Sequence, residues 1–138
     1  MTASTASTTS VSEVMHRGVI NVPPQTSLHE LGAQMVSNRV HCVVVDGLAR
    51  GQDRQERLVW GIVSDLDLIT AIATEQTQVS AGEIASTEII TVQATESVEQ
   101  AARLMAEHKC THLVVVSPKE DLPVGVVSSL DVAGTLAG

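Results

Sequence analysis

The sequence repeats itself. GIVSDLDL, Gly61 to Leu68, returns 64 residues later as GVVSSLDV, Gly125 to Val132, with glycine, valine, serine, leucine and aspartate in the same places. Upstream the copies run at an offset of 70, pairing Glu13 with Glu83, Ile20 with Ile90, Ser27 with Ser97 and Met35 with Met105. An internal repeat of this length limits the chain to two copies of one supersecondary unit, and every other reading has to be compatible with that. The offset changes because the first copy carries DGLARGQDRQER where the second has SPKEDLP. Both stretches are polar and read as loops.

Each copy predicts the same elements in the same order. A short β-branched run, VINV (19–22) or IITV (89–92), is followed by Ser27-x-x-Glu30 or Ser97-x-x-Gln100, capping-box patterns that start helices. Apolar and small residues then fall at Leu28, Leu31, Gly32, Met35 and Val36, and at Val98, Ala101, Ala102, Met105 and Ala106, the stripe of an amphipathic helix. Two strands follow, CVVV (42–45) with LVWGIV (58–63), and LVVV (113–116) with VGVV (124–127). A serine ends the last strand and opens a final helix, DLDLITAIA or SLDVAGTLA. The unit is β-α-β-β-α written twice, an α/β (α+β) fold. The expected layout is a disordered Ser/Thr/Ala tail over 1–10, a first domain over 11–73, a linker over 74–80 and a second domain over 81–138.

Composition narrows the function classes. A chain of 138 residues can bury roughly two-thirds of the surface it exposes when unfolded. With no Phe or Tyr and one Trp, the core is built from aliphatic side chains and offers few platforms for stacking bases. The net charge of −8 repels a phosphate backbone, so nucleic acid is not an expected partner. No apolar run reaches the roughly 18 residues of a membrane span, and no basic-then-apolar leader is present, so a cytoplasmic protein without a membrane partner is expected. Cys42 and Cys110 read as reduced thiols, not a disulfide framework.

The repeated Gly-x-x-Ser-x-x-Asp turn carries the chemistry. A glycine inside a strand contributes no side chain, so its use is close approach by another backbone or by a ligand. A serine at a helix start sits where free amides and the helix dipole favour an anion such as phosphate. An aspartate one turn into the helix is placed to accept ribose hydroxyls, the part acidic residues play in dinucleotide sites. The bland reading of Ser-x-x-Asp is a helix cap. The copies also differ, because Asp65 follows Ser64 where Ser129 follows Ser128. A carboxylate near a helix start repels phosphate, so tighter nucleotide binding is expected at Ser128/Asp131.

With Gly61/Ser64/Asp67 and Gly125/Ser128/Asp131 in the right order of elements, the chain from about Val11 to Ala137 resembles a pair of cystathionine-β-synthase-type (CBS) domains. The resemblance implies two repeats related by an approximate two-fold axis, two clefts, and a homodimer built through the helices. It further implies an adenosine nucleotide as regulatory ligand, with no cofactor required and no catalysis. It places the phosphate and ribose on those six residues, with the base along Ile20, Asn21, Val22 and Pro23 in one copy and Ile90, Thr91, Val92 and Gln93 in the other. His41 and His112 resemble family positions that reach ligand phosphates. Cys42 stands where the family often has Arg, which favours AMP or ADP over ATP, with S-adenosylmethionine a further alternative.

Arg17, Arg39 and Lys109 are additional candidate anion partners, weighed against ordinary solvated cations. Trp60 reads as core or interface filling. No nucleophile signature assembles Ser, His and Asp into a catalytic group, so no enzyme is expected. The final helices, apolar on more than one face, point to a homodimer. The expected function is a stand-alone regulatory module acting on an unidentified protein. Two rivals stay open: a structural or protein-interaction dimer without a small ligand, and a metal or redox sensor using Cys42, Cys110 and the neighbouring His41 and His112, whose two Cys and two His match a zinc set in kind.

Overall fold

The structure, a computed structural model, describes residues 8–50 and 57–137. The chain divides into two compact units that do not coincide with the linear repeats. One unit is Ile20–Ile89; the other joins the residues up to Val19 with those from Ile90 onward. Each unit therefore takes its leading helix from the segment that precedes the other repeat's first strand.

Within Ile20–Ile89, three strands form a sheet in the order β2 (Asn21–Val22), β3 (Cys42–Arg50), β4 (Arg57–Ser64). Strands β2 and β3 are parallel, so the chain must cross over between them, and α2 (Leu28–Asn38) is that crossover. Strands β3 and β4 are antiparallel, and α3 (Asp65–Ala73) follows β4 without a loop. The short helix α4 (Ala81–Ile84) closes the unit, its Ala81 fully buried. Leu31, Val43, Val45 and Val63 form the core with it. Each such aliphatic side chain contributes about 1.5–3 kcal/mol on burial.

The other unit repeats this plan with one more strand. Its sheet runs β1 (His16–Arg17), β7 (Pro123–Ser128), β6 (His112–Val116), β5 (Thr91–Gln93). Helix α1 (Val11–Val14) precedes β1, α5 (Val98–His108) is the crossover, and α6 (Ser129–Gly134) follows β7. Val11, brought in by α1, is fully buried beside Val92, Leu113, Val115 and Val127.

Four expectations need correction. Thr9 and Ser10, expected in a disordered tail, are instead engaged: the Thr9 carbonyl accepts from Val98 N–H at 2.9 Å and Ser10 caps α1; residues 1–7 lie outside the described residues. The stretch 46–57, read as a loop, is partly strand: β3 continues to Arg50 past a register shift between Val45 and Leu48, where Gly47 has φ +79°. A glycine there accommodates the left-handed kink, and 51–56 lie outside the described residues. The apolar stripe of α2 ends at Met35, since Val36 is 80% exposed. Helix α6 stops at Gly134 and does not continue through Leu136 and Ala137.

Candidate functional site

In both units β-strand passes into helix at the repeated serine. Ser64 is extended (φ −101°, ψ 167°) and so is Ser128 (φ −105°, ψ 164°), each capping the helix that follows. The aspartates complete reciprocal capping boxes. Asp67 Oδ2 accepts from Ser64 N–H at 2.8 Å, and Asp67 N–H donates to Ser64 Oγ at 3.2 Å. Asp131 and Ser128 repeat this at 2.8 and 3.2 Å. The capping pattern expected at Ser27 and Ser97 is only half made: each serine accepts from the third residue's N–H, but Glu30 turns to Gln34 instead of returning to the cap.

The cap does not use up the aspartates. Each gives one carboxylate oxygen to the turn, and among the described residues Oδ1 of Asp67 and of Asp131 meets no protein donor. Both aspartates are half-buried, one turn into the helix that follows the last strand of each sheet.

The two glycines face the chain's own backbone. A Cβ on Gly61 would lie 2.8 Å from the Ser86 carbonyl oxygen, and Ile62 exchanges hydrogen bonds of 2.9 Å with Ser86 in both directions. A Cβ on Gly125 would run into the His16 carbonyl oxygen of β1. Of the two uses expected for these glycines, close backbone approach is the one the structure displays.

Strand register gathers the other candidates at the same sheet end. Cys42 pairs with Ser64, and Asn21 stands beside Val44; in the other unit His112 pairs with Ser128, and Thr91 stands beside Val114. Strand alternation then separates the candidates for lining a base. Val22 and Val92 turn into the cores, at 7% and 1% exposure, and cannot present their side chains to a ligand. Ile20, Ile90 and Thr91 are half-buried, and Asn21, Pro23 and Gln93 are exposed.

The histidines are not equivalent, contrary to their reading as matched positions. Asp65 N–H donates to the His41 carbonyl at 2.8 Å, as Ser129 N–H donates to that of Thr111 at 2.7 Å. His41 therefore corresponds to Thr111, and Cys42 corresponds to His112. His41 Nδ1 lies 2.9 Å from Asp65 Oδ2, whereas His112 Nδ1 lies 3.0 Å from Thr111 Oγ1. Among the described residues no three His, Cys, Asp or Glu side chains converge in a metal-holding group. Both cysteines are free thiols. Burial pushes the Cys42 thiol up to about 11, with the nearby Asp65 carboxylate adding to the shift. Arg17 donates to the Ser12 carbonyl at 3.2 Å, and Arg39 and Lys109 are the left-handed C-caps of α2 and α5.

The turns differ in one detail that residue identity alone does not display. Leu66 N–H donates to Asp65 Oδ1 at 2.8 Å, while no side chain among the described residues accepts from its counterpart, Leu130 N–H. The Asp65 side chain thus caps an amide that stays uncapped by side chains at the other turn.

The chain matches the CBS domain family over residues 11–74 and again over 81–138. Among solved structures it is similar to the CBS domain protein PAE2072 from Pyrobaculum aerophilum, complexed with AMP, at 32% identity and TM-score 0.73 over 93% of this chain and 98% of that one. It is also similar to Hypoxic Response Protein I with two coordinated zinc ions, at 26% identity and TM-score 0.67 over 91% and 98% of the two chains. The CBS domain pair of protein MJ0100, in complex with 5′-methylthioadenosine and S-adenosyl-L-methionine, shares the fold at 22% identity and TM-score 0.75 over 94% and 97%. A comparison with curated proteins finds no match. Two matches in tandem, each containing one Ser-x-x-Asp turn, show that the chain belongs to the CBS domain family, as a pair of CBS domains.

Proposed function

We propose that this CBS pair is a non-catalytic regulatory module that binds an adenosine-type ligand at its strand-to-helix turns. The observation that carries the reading is the twofold occurrence of a capped turn whose aspartate keeps one carboxylate oxygen open. Serine supplies a hydroxyl beside helix amides for a phosphate, the open aspartate oxygen accepts ribose hydroxyls, and Ile20 or Ile90 with its neighbours flanks the base. The 32% identical relative complexed with AMP supports the same class of ligand, with AMP or ADP favoured over ATP or S-adenosylmethionine. Ser128 and Asp131 form the preferred phosphate-bearing turn, because Ser129 brings no charge there.

Occupancy regulates only if the ligand prefers one of two states of the protein, and the regulated partner is a protein that reads that difference. We place a homodimer interface on the exposed apolar residues Leu66, Ile69 and Ile72 of α3, which are 66%, 59% and 66% exposed.

The deciding experiment is a thermal-shift panel of AMP, ADP, ATP, S-adenosylmethionine and zinc. A ligand at 100 times its Kd adds about 2.7 kcal/mol of stability, several degrees for a chain of this size. A shift with an adenosine ligand supports the proposal. A response to zinc alone favours the metal-sensor rival, zinc being coordinated in Hypoxic Response Protein I, and no response favours a structural dimer.

A further inference from the structure

We infer that Asp65 is a specificity-determining residue that keeps phosphate off the Ser64/Asp67 turn and reserves it for an adenosine-type ligand without a phosphate, such as a nucleoside or its thioether. This rests on the reading of both turns as adenosine sites and divides their ligands.

A phosphate at a helix start is held by the first backbone amides and by the absence of negative charge beside them. At α3 all three of the first amides are committed, whereas at α6 Ser129 and Asp131 N–H are held as their counterparts are but no side chain among the described residues accepts from Leu130 N–H. Asp65 N–H donates to the His41 carbonyl at 2.8 Å, Leu66 N–H to Asp65 Oδ1 at 2.8 Å, and Asp67 N–H to Ser64 Oγ at 3.2 Å. The Asp65 carboxylate is held from both sides, since its Oδ2 lies 2.9 Å from His41 Nδ1. Two carboxylates, Asp65 and Asp67, thus stand within one helical turn, and a third negative group meets both.

What this turn still offers is the open Asp67 Oδ1, an acceptor for neutral hydroxyls. Ribose satisfies it and phosphate does not. At the corresponding place Ser129 carries no charge, so the chain holds an internal control for the effect of one side chain.

The test uses the full chain with Asp131→Ala, which disables the other turn, and isothermal titration with adenosine and with AMP. Adenosine is expected to bind, and AMP to bind more weakly by on the order of tenfold. Adding Asp65→Ser is expected to recover AMP binding while adenosine changes little. Asp65→Asn, which keeps an oxygen for Leu66 N–H but removes the charge, separates repulsion from amide capping: recovery by either variant supports the inference. Melting temperatures of all variants confirm that they are folded. Equal binding of AMP and adenosine to the Asp131→Ala chain, unmoved by either Asp65 substitution, overturns the inference, as does loss of all adenosine binding in that chain. If the unmutated chain binds neither ligand, the adenosine reading itself falls.

Discussion

Gly125 of β7 stands opposite Arg17 of β1, so close to the carbonyl of His16 that a side chain has no room between the strands. The glycine of the repeated motif is therefore where the leading segment of the chain joins the unit formed by the second repeat. Gly61 meets the 84–86 segment in the same manner, through the Ser86 carbonyl and Ala85 Cβ. A backbone carbonyl is an obstacle in both places, joined at Gly61 by Leu48 Cδ1 at 2.8 Å, and backbone yields less than the end of a side chain.

Gly125→Ala and Gly61→Ala are accordingly expected to destabilise the protein by about 1–3 kcal/mol each, as overpacking usually does. Gly134→Ala, with nothing within 4 Å of its Cβ, serves as the control. Urea denaturation measures all three; a Gly125→Ala protein as stable as the control would contradict the packing role.

Val11 belongs to the core of the unit it joins, with no exposed surface. Its truncation in Val11→Ala should cost about 2 kcal/mol in chemical denaturation, counting lost transfer and residual cavity. A loss below half a kilocalorie would mean that α1 merely lies on the surface.

The aspartates of the two turns have a structural and a proposed binding role, and substitution separates them. Asp67→Ala and Asp131→Ala each remove half of a capping box, expected to cost about 1 kcal/mol. Their effects on AMP should diverge, with the larger loss of affinity for Asp131→Ala. Titration calorimetry giving the reverse order would defeat the ranking of the two turns.

The Cys42 thiol makes stability fall at high pH. Its proton leaves the unfolded chain near the ordinary value of 9.0 and the folded chain only at about 11. Between those values the folded state binds more protons, so the contribution is complete below pH 9 and is lost as pH rises to about 11. The expected decline is of order 2 kcal/mol. Comparing denaturation at pH 8.5 and 10.5 should show a smaller fall in Cys42→Ala than in the unmutated chain, and an identical fall in both would rule Cys42 out as its source.

Arg39 and Lys109 end their helices at φ 54° and 52°, a conformation that favours glycine. Lys109→Gly should leave stability unchanged or raise it by up to about 1 kcal/mol, because relieved strain outweighs the added freedom of the unfolded chain. Loss of more than 1 kcal/mol on thermal denaturation would show that the Lys109 side chain makes a stabilising contact.

What the chain's own text determined is the repeated plan of strand, crossover helix, strand pair and final helix, together with the serine and aspartate that shape each turn. These are local properties: apolar spacing selects helix or strand, and Ser64 and Ser128, each three residues before an aspartate, cap the helices that follow them. Only tertiary structure decided which segment fills the space over Gly61 and Gly125, because a glycine announces a close neighbour without naming it. The same holds for Thr9 and Ser10, polar residues that looked solvated until pairing with Val98 and Ser97 drew them in. Strand register, set by pairing partners distant in sequence, likewise decided that Val22 and Val92 face inward. The reach of Asp65 to His41 belongs to that second class, since it exists only after β3 and β4 have aligned, whereas its bond to the Leu66 amide is local.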